Sequence, residues 1–145
     1  AICNSFKKEL LEGAHKFQYT SGSSFKLALY DSQATLGAST TNYAVAEEVA
    51  NTGSYTAGGG ALVKPNPSTS MASATAIVDF DNLSFTSVSL TARGALIYNT
   101  TTSGGSNTTD SVCVLDFGAD KTATSGTFTV QFPAFTTSAA ILRIA

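Results

Sequence analysis

The hydrophobic residues near the N-terminus recur at helical spacing. Residues 4–17 therefore predict one amphipathic helix, with Asn4 or Ser5 as its N-cap. Charged residues lie off the apolar stripe, so the helix either packs one face on its own domain or docks on a neighbouring subunit, and the first alternative is favoured. The stripe comprises Phe6, Leu10, Leu11 and Ala14.

From Ser24 onward the period of the apolar residues changes to two. Phe25, Leu27 and Leu29 occupy alternate positions, which predicts a strand at residues 25–30 with one buried face. Further short runs rich in Val, Ile, Leu, Phe and Thr, separated by turn-forming residues, bring the expected number of strands to about eight. These runs are residues 61–64, 75–80, 83–90, 92–98, 112–117, 127–132 and 140–144.

The segments between these runs predict loops. Residues 43–49 favour a helical turn over an irregular link. The triple glycine Gly58, Gly59 and Gly60 closes a segment that predicts a flexible connector and lacks the Lys and Ser or Thr of a phosphate loop. Residues 31–41, 100–110 and 118–126 complete the set of predicted loops.

This order of elements predicts an all-β fold. Regular turn spacing excludes a parallel α/β arrangement, and about eight short strands favour an antiparallel β-sandwich or a jelly-roll-like domain. The length of 145 residues fits one domain, residues 1–145. Within it, residues 1–20 form an N-terminal helical arm and residues 24–145 form the β domain.

Low charge is the main compositional feature. Charged residues make up 12% of the chain, about half the usual share, while Ser and Thr supply roughly a quarter of it. The formal net charge of −2 provides no basic field for nucleic acid, so direct nucleic-acid binding is not expected. No apolar run approaches the ~18 residues that span a bilayer, so neither a membrane anchor nor a membrane partner is expected.

The residues that carry chemistry are few. His15 is the only histidine, which excludes a zinc site built on two histidines, and no Ser lies in a GxSxG nucleophile motif. Cys3 and Cys113 lack metal or redox spacing, and two buried free thiols are favoured over a disulfide. We therefore expect no catalytic residues, no metal, no cofactor and no enzyme activity.

Acidic residues leave two weaker alternatives open. A loop calcium site and a glycan-cleaving carboxylate pair both need acids of the kind found at Asp79, Asp81, Asp116 and Asp120, but turn acids are the simpler interpretation. Arg93 lies alone in a neutral strand. It either pairs within the chain with Asp79, Asp116 or Asp120, which is favoured, or contacts a neighbouring subunit.

Four blocks of sequence carry a resemblance to a family. They are residues 3–13, CNSFKKELLEG; residues 25–30, FKLALY; residues 55–59, YTAGG; and residues 92–99, ARGALIYN, with 114–118, VLDFG, and the closing residues 141–144. In order and spacing they resemble small uncharacterised virion-associated structural proteins of tailed bacteriophages that infect marine bacteria. The resemblance covers nearly the whole chain and supplies no catalytic residues.

The resemblance implies a place in the phage particle. We expect a virion structural protein, foremost a capsid decoration or cement protein that binds the major capsid protein or other virion proteins. Such a protein forms a homo-oligomer, for which analogy suggests a trimer, and is assembled in the host cytoplasm. A tail, baseplate or fibre component that contacts the host surface is the alternative. The candidate interface residues are Phe6, Leu10, Tyr55, Gly58, Gly59, Gly60 and Arg93.

Overall fold

The part of the chain that the structure describes is mostly β-structure, with one short helix and two antiparallel sheets. The computed structural model describes residues 1–101 and 108–145, so the centre of the predicted loop at residues 100–110 lies outside the described residues. The described part contains seven strands, fewer than the eight expected. The elements are α1 (Asn4–Leu11), β1 (Phe25–Tyr30), β2 (Gly60–Ala61), β3 (Thr69–Ala72), β4 (Thr75–Val78), β5 (Leu83–Asn99), β6 (Ser111–Val130) and β7 (Leu142–Ile144).

Helix α1 is shorter than predicted because a glycine ends it. Gly13 has a φ of 76°, in the left-handed region that glycine adopts without steric cost. The N–H groups of Gly13 and Ala14 donate to the carbonyls of Leu10 and Glu9 at 3.2 and 2.9 Å. Together these bonds form a Schellman motif, which satisfies the last carbonyls of a helix. The prediction that the helix continues to residue 17 is therefore wrong.

The start of α1 also differs from the prediction. The N-cap residue is Cys3, which makes no side-chain capping bond, so neither Asn4 nor Ser5 acts as the cap. The N–H of Asn4 donates instead to the carbonyl of Ala38 at 2.8 Å. A loop distant in sequence thus satisfies one of the free donors at the helix start.

The four-stranded sheet has the order β2-β1-β5-β6, and every pair is antiparallel. Strand β1 matches its predicted range, but the expectation of one buried face is wrong. Ala28 and Tyr30 are buried as completely as Leu27 and Leu29. The segment at residues 42–60 covers the second face, where the Tyr30 hydroxyl donates to the carbonyl of Ala44 at 2.6 Å.

Strands β5 and β6 form one long ribbon in place of four predicted strands. The predicted break at Thr91 and the predicted connector at residues 118–126 both lie within strands. On β5, Gly94 and Ala92 are two positions apart, whereas their partners on β6, Asp116 and Lys121, are five positions apart. Residues 117–120 therefore bulge from the ladder.

The ribbon is strongly bent. The rings of Phe117 and Phe128 lie 6.1 Å apart in the same strand. A straight strand would separate these residues by roughly 36 Å at ~3.3 Å per residue. The bulge and the register shifts therefore fold the ribbon back, because bulges increase twist and bend the strand that carries them.

The three-stranded sheet has the order β3-β4-β7. Strand β3 was not predicted, since its residues form neither an alternating nor a β-branched run. It pairs with β4 across the two-residue turn Ser73 and Ala74, and Ser73 has a φ of 58°. The predicted strands at 61–64 and 140–144 shorten to β2 and β7.

One buried cluster draws on the helix and on both sheets. Phe6 of α1, Phe25 of β1 and Leu142 of β7 all belong to it. Within this cluster the rings of Phe17 and Phe25 stack at 4.7 Å, and Phe80 follows at 5.6 Å from Phe25. The aromatic contacts tie the segment after α1 to β1 and to the link between β4 and β5.

Candidate interaction surfaces

Several hydrogen bonds within the segment at residues 42–60 converge on one carboxylate, that of Glu48. Glu48 accepts hydrogen bonds from the hydroxyls of Tyr43 and Tyr55 at 2.6 and 2.8 Å and from the N–H of Gly58 at 2.7 Å. Bonds to an ionised acceptor are among the stronger ones in proteins. Residues 43–49 contain a turn and no helix, and Glu48 fixes this irregular link to the glycine segment that follows.

Tyr55 lies inside the protein, with 1% of its surface exposed. Its hydroxyl donates to Glu48 and accepts from the N–H of Leu29 at 2.8 Å. Burial, and then the neighbouring Glu48 carboxylate, raise the pKa of Tyr55 well above its usual range, because both disfavour the phenolate. As a predicted interface residue, Tyr55 presents almost no surface to a partner in this conformation.

The triple glycine is closely packed, which contradicts the prediction of a flexible connector. The Tyr98 hydroxyl donates to the carbonyl of Gly58 at 2.6 Å. Gly59 has a φ of 80° and lies so close to the Leu27 carbonyl that a Cβ would overlap it. Gly60 pairs with Leu27 in the β2–β1 ladder. Gly59 therefore allows the loop to lie directly against β1.

The two candidate residues on the helix differ in exposure. Phe6 is buried, with its ring 4.9 Å from that of His15 and 6.0 Å from that of Phe17. Leu10 is half-buried, whereas Leu11, predicted on the same apolar stripe, is 91% exposed. The helix thus packs one face on its own core, and its final turn projects an apolar side chain into solvent.

His15 lies just after the helix in a buried polar network. Its Nε2 is 2.7 Å from Oε2 of Glu9, and its Nδ1 is 3.1 Å from Nδ2 of Asn99. Asn99 Nδ2 also donates to the Ala14 carbonyl at 3.2 Å, and Asn99 Oδ1 accepts from the N–H of Thr101 at 2.9 Å. Because the Asn99 amide donates at Nδ2, His15 accepts at Nδ1 and donates its Nε2–H to Glu9.

This network joins three parts of the chain. Glu9 belongs to α1, His15 to the segment after it, and Asn99 to the end of β5. The side chain of His15 is fully buried and that of Glu9 is 18% exposed. Both ring nitrogens are occupied, so the arrangement holds the helix on the sheet.

Arg93 pairs within the chain, as favoured by the sequence. Its Nε lies 3.4 Å from Oδ1 of Asp116, and both side chains are substantially exposed. The N–H of Gly118, and then Arg93, lower the pKa of Asp116 below its ordinary value, because both favour the carboxylate. The pair borders an open depression of about 300 Å³ between residues 30–36 and the β5–β6 ribbon.

The predicted turn acids differ in position, and the thiols are buried. Asp120 lies within β6, as Asp116 does, so the prediction of a turn at these two acids is wrong. Asp79 and Asp81 lie in the link between β4 and β5, where burial raises the pKa of Asp79. Within residues 1–101 and 108–145, no group of three or more His, Cys, Asp or Glu side chains has the arrangement of a metal site. Cys3 and Cys113 are both free, as the sequence favoured, and burial raises the pKa of Cys113 to about 12.

The predicted residues do not form one surface. Phe6 and Leu10 lie on α1, Tyr55 and the three glycines cover β1, and Arg93 lies on the ribbon. Sequence reasoning missed Glu48 as an organising residue. The signal available was the acid pair Glu47 and Glu48 between two tyrosines in a chain with few charges, but the convergence of Tyr43 and Tyr55 on Glu48 depends on the fold.

Comparison with protein-family models, with curated proteins and with solved structures finds no match to this chain. In the part of the chain that the structure describes, no helix has the length and apolar character needed to cross a bilayer.

Proposed function

We propose that this chain is a non-catalytic structural protein of a phage virion, most specifically a capsid decoration protein that binds the major capsid protein. The finer fold belongs to the same proposal: the two antiparallel sheets pack as a sandwich of the jelly-roll type. Support for it comes from the single buried cluster, which includes residues of both sheets.

The observation that carries the proposal is the placement of the polar groups. The side chains of His15 and Glu48, the residues best suited to chemistry, are engaged in structural bonds: those of His15 join helix α1 to β5, and those of Glu48 order residues 43–58. The outer face of the ribbon instead presents neutral hydroxyl pairs, Ser84 with Thr129 and Thr91 with Thr122, each at 2.8 Å. A neutral, hydrogen-bonding β surface suits contact with protein.

The resemblance to virion-associated phage proteins supports the proposal that this contact is made in the phage particle. A protein that decorates a shell meets many copies of one partner, so weak individual contacts add up through repetition. Self-association, as in a trimer, would strengthen the same effect.

A map of purified particles tests the proposal. We expect density for this chain over the whole capsid shell, and we expect particles that lack the chain to lose heat resistance and to regain it when purified chain is added. Density confined to the tail or baseplate would reject decoration in favour of the tail alternative. Absence of the chain from the particle would reject both.

A further inference from the structure

An apolar groove runs between helix α1 and the three-stranded sheet. Its volume is about 260 Å³, and its walls are almost wholly hydrocarbon. Helix α1 forms one wall, and β4 and β7 form the other. The residues that define it are Ile2, Phe6, Leu10, Val78, Leu142 and Ile144.

Exposed apolar side chains concentrate around this groove. Leu11, Ile144 and Ile2 line it and are 91%, 59% and 39% exposed. Met71, 65% exposed, stands in the same cross-strand row, since it pairs with Ala76 and Ala76 pairs with Ile144. Single exposed hydrophobic residues need no explanation, but a contiguous group of them marks an interaction site.

The charges at the groove have one sign. Lys7 and Arg143 are its only charged lining residues in the described chain. Both side chains donate to neutral oxygens: Lys7 Nζ donates to Asn4 Oδ1 at 3.2 Å, and Arg143 donates to the Thr137 carbonyl at 2.7 Å. Two cations beside an apolar wall complement an occupant that is apolar with acidic flanks.

We propose that this groove binds a peptide segment of a partner protein that presents apolar side chains flanked by carboxylates. The volume lies just below the range of about 300–1,000 Å³ for pockets that enclose a small molecule, so side chains of a larger partner fit better. A membrane fits less well, because the site is concave and the chain carries a net charge of −2. The inference rests on the proposed function only in placing that partner in the virion.

Reversal of the charges on the peptide and on the protein tests whether the groove binds an acidic peptide. The probes are fluorescent peptides that share one Leu and Ala core and carry Glu, Gln or Lys at both ends, and binding to the whole chain is followed by fluorescence anisotropy. We expect the Glu-flanked peptide to bind about ten-fold more tightly than the Lys-flanked one. In Lys7→Glu, Arg143→Glu protein this order should reverse.

Substitutions at exposed apolar positions of the groove provide the second test of peptide binding. Leu11→Ser with Ile144→Ser should weaken binding of all three peptides about ten-fold, since both side chains already lie at the surface and the fold does not depend on them. The matched control is Val45→Ser with Val63→Ser, two exposed apolar residues that do not line the groove, and it should leave the binding of all three peptides unchanged.

Three outcomes overturn the proposal: no saturable binding, a peptide preference that Lys7→Glu, Arg143→Glu leaves unchanged, or binding to anionic phosphatidylglycerol vesicles in place of peptide. These measurements use purified chain alone. A failure here therefore leaves the particle map unaffected, and an empty particle map leaves the peptide result unaffected.

Discussion

Glu48 and His15 show how this chain uses its few ionisable groups. The bonds of Glu48 order one segment, residues 43–58, whereas those of His15 join α1 to the distant end of β5. Buried polar groups of this kind stabilise a fold only when every partner is present, because an unpaired group keeps its desolvation cost.

Removal of one hydroxyl should therefore be costly. In Tyr55→Phe the ring stays in place, but the N–H of Leu29 loses its acceptor at 2.8 Å and Glu48 loses a donor. We expect the free energy of unfolding to fall by about 2 kcal/mol. Urea denaturation followed by circular dichroism measures the change.

The matched control is Tyr19→Phe, which deletes the same atom from a side chain that is 53% exposed. A surface change of this kind should stay within about 0.5 kcal/mol. Equal losses in the two variants would contradict a structural role for the Tyr55 hydroxyl.

Residue identity alone predicted some of these side-chain contacts and not others. The pairing of Arg93 with an acid in the chain follows from a lone charge in a neutral strand, and the structure confirms Asp116 as the partner. The burial of Tyr55 could not be predicted, because a tyrosine between polar residues and glycines has the local pattern of a loop. Its position depends on Leu29, which is 26 residues away.

At the scale of elements, periodicity located strands better than it located their ends. Strand β1 was predicted at its observed bounds, whereas β5 and β6 were each predicted as two strands. Residues 118–126 contain turn-forming residues, yet Lys121, Thr122, Ala123 and Gly126 still pair with β5, and the chain bends without leaving the sheet. Helix α1 ended early at Gly13, a signal present in the sequence that the apolar spacing outweighed.

Two glycines with nearly the same backbone conformation allow the conformational cost of a Gly→Ala substitution to be distinguished from its packing cost. Gly59 and Gly118 have φ values of 80° and 77°. A Cβ at Gly118 meets open space, so Gly118→Ala should cost only the left-handed conformation, about 1 kcal/mol. A Cβ at Gly59 meets the Leu27 carbonyl, so Gly59→Ala should cost about 3 kcal/mol or more.

Chemical denaturation of both variants gives the comparison, with the native chain alongside. A loss in Gly59→Ala no larger than that in Gly118→Ala would show that the triple glycine does not lie on β1 as described. If Gly59→Ala is too unstable to purify while Gly118→Ala is not, the same conclusion about close packing holds.

At the scale of the whole molecule, the β6 edge of the four-stranded sheet affects the way in which a partner can bind. Strand β6 ends the four-stranded sheet, and its exposed stretch carries Asp120 within the bulge at residues 117–120 and Asp116 and Lys121 on either side of it. Charges and bulges on an edge strand hinder the addition of another strand. The groove beside α1 has apolar walls and no such obstacle, which favours side-chain docking there over strand pairing at β6.

The tyrosines make the whole fold sensitive to alkali. Burial, and then the Glu48 charge, raise the pKa of Tyr98 to about 12, and the pKa values of Tyr30, Tyr43 and Tyr55 are raised further. The unfolded chain releases these protons near pH 10, whereas the folded chain retains them. Stability is therefore fully present below about pH 10 and falls as the pH rises through 12.

Tyr98 alone should contribute a loss on the order of 2 kcal/mol between pH 10 and 12, and the other three add to it. Urea denaturation at increasing pH, read together with tyrosinate absorbance, measures both events in one sample. We expect these four tyrosines to ionise only as the β-sheet signal is lost, because burial and the Glu48 charge both disfavour the phenolate in the folded chain. Ionisation of four tyrosines near pH 10 with the sheet signal intact would mean that they are open to solvent, and that residues 42–60 do not cover β1.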